Sequence, residues 1–330
     1  SHYWSGLNKG KRSVHLDLRS EDGRAHAQDL VAETGVLVTN MPATDWLDYE
    51  ALRARRPDLI MVAIRGTHDD RTAVDYTIQA RTGLPFLTGE ARADAPVNQT
   101  LPAWDLICAM TAATGLLAAE RRRRLTGEGA FVDLALEDAA LWTLGALGYL
   151  SEAEMGGPPR EAYGNDLYGA FGRDFATACG GRVMVVALTA RQWRAIVKAT
   201  GLGEAFAHLE QALDADLLQD AERWRCRDAI AAVLRPWFAA RGLDEIRRAL
   251  DAERVLWGPY QTVGDLVRDD PACSENNPLF RRIAQPGIGS VLTPGSPLRV
   301  AGVDDRGAAP APAPGADTEA ALASLARRDG

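Results

Sequence analysis

From Trp104 to Ala119 the chain is almost wholly apolar or small, and the run closes on Arg121, Arg122, Arg123 and Arg124 before Thr126 and Gly127. Such a run, with cations at its end and a glycine beyond them, predicts one long helix over residues 104–124. Ahead of it, short apolar runs alternate with helical spacing. Residues 13–18 (SVHLDL) read as a short strand. Residues 21–33 carry helical spacing at Ala25, Leu30 and Val31, with Ser20 as N-cap. Residues 36–39 form a second apolar run, and residues 49–56 a short helix stopped by Pro57. Residues 59–64 (LIMVAI) are continuously apolar, as in a parallel strand buried on both faces. Strand, helix, strand, helix, strand predicts a doubly wound α/β domain.

Residues 65–102 are irregular and rich in Gly, Thr, Asp and Pro, with one helix turn compatible with 73–80. A stretch of that length inside a compact domain points to function. After the long helix, residues 131–136 (FVDLAL) read as a strand and 137–150 as an apolar helix. Residues 151–164 break the composition and open a linker. A second unit follows, with a strand at 182–188, a helix at 191–199, and amphipathic helices from 203 to 252 interrupted at Pro236. Residues 255–260 lead into another short helix. Beyond Asn277 the chain turns rich in Pro and Gly, and the run AAPAPAPGA at 308–316 reads as an extended surface connection. The expected organisation is a large domain over 1–150, a linker over 151–180, a small domain over 181–285 and a C-terminal return segment over 286–330.

Composition narrows the chemistry. Hydrophobic residues make up 46% and charged residues 25% of 330 positions, an ordinary globular balance with room for a sizeable core. The formal net charge of −8 argues against nucleic acid as a partner. Cys108, Cys179, Cys226 and Cys273 are far apart, which fits free thiols in a reducing cytoplasm. The histidines are scattered without metal-ligand spacing, so no metal site is expected. The apolar stretches are too short to span a bilayer, and SHYWSGLNKGKRS lacks the apolar core of a signal peptide.

No phosphate-binding P-loop, nucleophile elbow, zincin or dinucleotide fingerprint occurs in the sequence. The pairs Gly127/Gly129 and Gly287/Gly289 read as turns. Asp105 lies three residues after Pro102, in the first turn of the long helix. Backbone N–H groups and the helix dipole favour an ionised carboxylate there, which suits a carboxylate nucleophile. Asp is also a preferred helix-terminal residue, and spacing alone favours a capping role. Around Gly10, the cations Lys9, Lys11 and Arg12 could hold phosphates or simply face water. The arginines at 121–124 read as a solvated, dipole-matched helix end.

The stretch NKGKRSVHLDLRSEDGRA, followed by a strand ending at Asn40, resembles class III CoA-transferases of the carnitine CoA-transferase and formyl-CoA transferase type. So does the order Asp105, apolar helix, then Thr126-Gly127-Glu128-Gly129 and a strand, and the likeness extends through Tyr168-Gly169-Ala170-Phe171, RVMVVALT and APAPGADTEAAL. It implies that family's fold: a Rossmann-like large domain, a smaller α/β domain and an interlocked homodimer. It implies Asp105 as the nucleophile, a CoA site that includes Lys9, Lys11, Arg12, Asn40, Met41 and Arg65, and no tightly bound cofactor, since CoA is part of the substrate. Related racemases use a His that would fall near Val74-Asp75 and a Glu where Thr189 stands, so racemisation is disfavoured. LPAWD and YGAFGRDF are not general family features. They resemble a branch that moves CoA between the two carboxylates of one unsaturated dicarboxylic acid. Arg173 is then the candidate for the second carboxylate, with Arg65 in reserve. Transfer of CoA between two different acids, and a CoA-binding protein without catalysis, are the competing readings. Family members carry a βα unit ahead of the NKGKRSV segment. The sequence opens at Ser1 without it, so part of the pocket and the first strand are expected to be missing from the chain as written.

Overall fold

A computed structural model describes residues 1–90, 95–157, 159–303 and 309–326. Part of the irregular stretch at 65–102, Pro158 of the expected linker, Ala308 of the Pro-rich run and the last residues of the return segment lie outside the described residues. The chain divides into two compact units: Ser1–Thr82, Leu101–Glu152 and Val263–Gly330 form the first, and Gly83–Thr100 with Ala153–Thr262 the second.

In the first unit, α1 (His2–Leu7) and α2 (Glu21–Thr34) precede β1 (Val36–Thr39), α3 (Tyr49–Arg55), β2 (Ile60–Arg65), α4 (Asp75–Arg81), α5 (Ala103–Thr126), β3 (Ala130–Ala135) and α6 (Leu136–Ala146). β2 is the middle strand of a parallel sheet in the order β1-β2-β3, with Val36 opposite Ile60 and Ile60 opposite Ala130. That position explains its unbroken apolar run, in which Ile60, Met61 and Val62 are all buried. Ser20 caps α2 by accepting from the Gly23 N–H, and Gly35 ends the helix at φ 65°, a left-handed turn that glycine adopts without strain.

At the C-terminus of α5, Arg123 is not a solvated cation. Its Nη1 donates to the carbonyl of Gly35 at 2.7 Å and to that of Asp58 at 3.3 Å, which ties the helix end to the turns feeding β1 and β2. Arg122 and Arg124 pair with Glu128 and Glu120. At 1.5 Å per residue these arginines lie about 28 Å along the helix from Asp105, so they serve no phosphate beside it.

Residues 13–18 do not join a sheet. The Ser13 and His15 N–H groups donate to Asp317 Oδ2 and Thr318 Oγ1, and Ser13 accepts from the Asp317 N–H. Polar side chains of the C-terminal segment take the hydrogen bonds that a neighbouring strand would have supplied. That segment is more than a surface connection. Ala311 is buried and bonded in both directions to the Gln285 amide, at the end of the hairpin formed by β7 (Phe280–Gln285) and β8 (Gly289–Pro294). α14 (Thr318–Ala326) follows, and α7 (Tyr149–Glu154) and α13 (Val263–Asp269) lie earlier in the chain.

The second unit has an antiparallel sheet of β4 (Phe171–Ala176), β5 (Arg182–Ala187) and β6 (Leu256–Pro259), with α8 (Ala190–Thr200), α9 (Gly203–Leu213), α10 (Asp220–Arg225), α11 (Arg227–Ala239) and α12 (Leu243–Ala252). Along β5, Val183, Val185 and Ala187 are buried while the residues between them are not, the alternation of a sheet covered on one face. The unit starts earlier than composition suggests. β4 lies inside the stretch read as a linker, because Phe171 and Phe175 are core residues packed on Trp193 and Phe238. Pro236 does not interrupt a helix but lies within α11, whose next residues, Trp237 and Phe238, are buried.

Candidate active site

The carboxyl ends of parallel strands are where open α/β sheets bind ligands. Here β1 runs out into Asn40 and Met41, β2 ends at Arg65 before Gly66, and the first turn of α5 faces them with Asp105. Together they line a cavity of about 780 Å³, within the range of small-molecule sites. Every lining residue belongs to the first unit.

Asp105 does not cap its own helix. Asp75, buried at 2% exposure on α4, does so instead: its Oδ2 accepts from the Trp104 N–H at 2.8 Å and from the Asp105 N–H at 3.2 Å. Its other oxygen accepts from the Gln79 amide at 2.5 Å. The amide donors expected to stabilise an ionised Asp105 are therefore given to Asp75. Asp105 is exposed by surface area, but loss of hydration against the protein around it first, and the charge of Asp75 second, hold its carboxyl above the ordinary range. This reverses the direction that helix position alone suggests. It also makes the carboxylate a stronger base and nucleophile, with its oxygens uncommitted to the helix. One turn on, Cys108 also lines the cavity, its thiol raised by burial and by Asp105.

Arg65 is held at the carboxyl end of β2 by Asp133 of β3. The register sets Ala63 opposite Asp133, so Arg65 and Asp133 share a face, and Nε donates to Asp133 Oδ1 at 2.7 Å while Nη2 meets the other oxygen. Nη1 donates to Asp70 Oδ1 at 2.6 Å. The loop carrying Asp70 folds closely over the strand end. A Cβ on Gly66 would come within 2.6 Å of the Ala73 nitrogen, which only glycine avoids. Thr67 pins the loop from inside, accepting from the Arg71 N–H at 2.8 Å and donating to Asp69, whose carboxyl falls to about 2.

Of the residues singled out in the sequence, Asn40, Met41, Arg65 and Asp105 thus come together. Lys9, Lys11 and Arg12 stand apart from this cavity's lining. Lys11 donates to Asn8 Oδ1 at 3.1 Å, and Arg12 lies 3.9 Å from Asp317. Arg173 belongs to the second unit. Its guanidinium is gripped by Asp166 through two nitrogens and meets Asp228 at 2.9 Å. Asp75, Gly66 and Cys108 were not singled out for this site. Cys108 was legible as the residue one turn after Asp105; the other two owe their places to a chain reversal that leaves no periodic trace.

The profile of CoA-transferase family III matches residues 1–318, and the chain belongs to that family. It is 47% identical over 324 residues to 2-methylfumaryl-CoA isomerase of Chloroflexus aurantiacus, covering 97% of this chain and 79% of that protein. It is 30% identical over 313 residues to succinyl-CoA:mesaconate CoA-transferase of Haloarcula marismortui, covering 90% and 75%. Among solved structures, a CaiB/BaiF family protein from Brucella suis superposes with a TM-score of 0.79 at 26% identity, covering 98% of this chain and 84% of that one. The fold is that of the class III CoA-transferases. Among the described residues no group of three or more His, Cys, Asp or Glu side chains could hold a metal, and no helix is long and apolar enough to cross a membrane.

Proposed function

We propose that this enzyme moves CoA from the C1 to the C4 carboxylate of 2-methylfumaryl-CoA (mesaconyl-CoA) within one bound substrate. The observation that carries the reading is Asp105 itself, exposed on the cavity wall with the first amides of its helix taken by Asp75. The 47% identical isomerase supports the choice of acyl group. An Asp105 oxygen attacks the C1 thioester carbonyl, the C–S bond breaks, and a mixed anhydride and CoA thiolate result. The thiolate attacks the aspartyl carbonyl, giving an aspartyl-CoA thioester and releasing the C1 carboxylate. The C4 carboxylate then attacks the aspartyl carbonyl and expels thiolate, which finally attacks C4 and returns Asp105 as a carboxylate. No proton is consumed, so no general base is needed. Holding the free acid makes the return attack unimolecular, a contribution of about 7–11 kcal/mol when alignment is good. Exclusion of water protects the anhydride. Asn40 and Met41 contact the CoA arm, Lys9, Lys11 and Arg12 serve its phosphates, and Arg65 stands beside Asn40 and Met41 on the cavity wall. Arg173, read from the sequence as the candidate for the second carboxylate, carries Asp166 and Asp228 on its guanidinium.

Incubation with mesaconyl-C1-CoA is expected to yield the C4 thioester, without incorporation of labelled free mesaconate. Hydroxylamine added during turnover should convert Asp105 to its hydroxamate, seen by peptide mass spectrometry. Incorporation of label would favour transfer between separate acids, the activity named for the Haloarcula relative. CoA binding with neither product nor hydroxamate would sink both readings.

We further infer a homodimer acting in the cytoplasm. Leu106, Met110 and Leu117 are 47%, 68% and 65% exposed at spacings that share one face of α5, and Trp142 of α6 is 71% exposed. Apolar side chains gathered in this way mark a protein contact. Sedimentation should give twice the chain's 35.6 kDa; a monomer at micromolar concentration would refute it.

A further inference from the structure

Arg65 holds two carboxylates of unequal standing. Asp133 is on a sheet strand and engages two guanidinium nitrogens. Asp70 is on a loop, touches only Nη1, has a side chain 70% exposed, and sits at φ 60°, a left-handed conformation that a non-glycine residue adopts at a cost. An exposed ion pair on a strained loop residue is a weak attachment. The local charges sharpen the contrast. Arg65, Asp133 and Asp70 sum to −1, and Asp105 is a further negative charge in the cavity that Arg65 lines. A dicarboxylic acyl group would bring a free carboxylate to a cavity where, among the described lining residues, Arg65 is the one cation, and that cation already holds two carboxylates. If that carboxylate takes the place of Asp70 on Nη1, the charge around Arg65 stays constant and Asp70 passes into water, where its hydration replaces the lost contact. Asp133 meanwhile keeps the guanidinium plane fixed through Nε and Nη2, which leaves Nη1 for the acid on a residue that lines the cavity.

We propose that Asp70 is a stand-in for the substrate's free carboxylate, and that Arg65 Nη1 is the seat from which the acid displaces it. This deepens the reading of the site as one for a dicarboxylic acyl-CoA, and rests on it. Arg65 is then a specificity-determining residue: it selects acyl groups bearing a second carboxylate. Asp70 keeps the seat from standing as an open anion trap.

The test measures calorimetric affinity for free mesaconate in the presence of CoA, and for crotonyl-CoA, which lacks the second carboxylate. Asp70→Asn weakens the competitor and should tighten mesaconate binding about two- to fivefold while leaving crotonyl-CoA within error. Arg65→Met should weaken mesaconate binding at least about tenfold, the loss of one charge-assisted hydrogen bond, with a much smaller change for crotonyl-CoA. Arg65→Lys, which keeps the charge but not the fork to Asp133, should fall between. Unchanged or weaker mesaconate binding in Asp70→Asn overturns the proposal, as does an equal loss for both ligands in Arg65→Met. If Arg173→Met produces the selective loss instead, the seat is there and not at Arg65. Melting curves identify any variant that fails to fold, and Arg65→Lys then decides. Because binding is measured without turnover, an enzyme inactive on mesaconyl-C1-CoA would fail the reaction assay while its mesaconate affinity still decided the role of Arg65.

Discussion

Asp105→Ala and Asp105→Asn lose CoA transfer by at least about three orders of magnitude, equivalent to about 4 kcal/mol of barrier, while CoA still binds. Neither side chain can form the anhydride, and among the described residues no other carboxylate lines the cavity to replace it. The pair of variants separates chemistry from shape, because the amide matches the carboxylate in size. Neither change should cost much stability, since Asp75 and not Asp105 holds the start of α5. Wild-type rates in either variant would remove Asp105 from the mechanism. Turnover measured against product C4 thioester, with hydroxylamine as trap, decides it.

Asp75→Asn and Asp75→Ala should part company. In Asp75→Ala the Trp104 and Asp105 N–H groups lose their acceptor, a cost of about 0.5–2 kcal/mol for a helix cap and more where the groups are buried. A fall in the urea midpoint measures it. Asp75→Asn keeps an acceptor oxygen for α5. Its new amide group can donate to Gln79, whose Oε1 is buried without a partner and can turn to receive it. Stability should therefore be largely retained, but the negative charge beside Asp105 is gone. The Asp105 carboxyl is raised by loss of hydration first and by Asp75 second. Its reactive form is the carboxylate, so the acid limb of kcat/KM sits above the ordinary carboxylate value. Removing the Asp75 charge lowers the Asp105 pKa and moves that limb to lower pH; a weaker base is also a weaker nucleophile, so the plateau should fall. An acid limb that stays fixed, or moves up, would show that Asp75 does not act on Asp105 electrostatically.

Much of this architecture was legible because each element advertises itself locally. β2 is apolar on both faces, α2 is bracketed by Ser20 and Gly35, and the length of α5 is written in its composition. Family motifs then pointed to Asp105, Asn40 and Met41, and the fold brings the three to one cavity. The failures share a cause. Residues 13–18 alternate like a strand, but their hydrogen bonds go to Asp317 and Thr318, some three hundred positions away. β4 hides in a polar, glycine-bearing stretch whose pairing to β5 no local pattern predicts. The cap role of Asp75 depends on α4 meeting the start of α5, and that meeting reverses the direction in which the Asp105 carboxyl is shifted. Spacing offers a helix terminus one acceptor, its own side chain, and cannot see a better one arriving from another element.

α5 is fastened at both extremities: Asp75 grips its first amides, and Arg123 anchors its final turn to the carbonyls of Gly35 and Asp58. A rod fixed at two points neither slides along its axis nor swivels about it. In the proposed cycle the acid meets the same carboxyl twice, with opposite ends presented in turn, and the thiolate attacks it once in between. With the nucleophile stationary, all of that rearrangement falls to the small molecule. The acid must pivot in place while its CoA handle stays moored, so the reaction behaves as a turntable for the substrate rather than a moving arm of the protein.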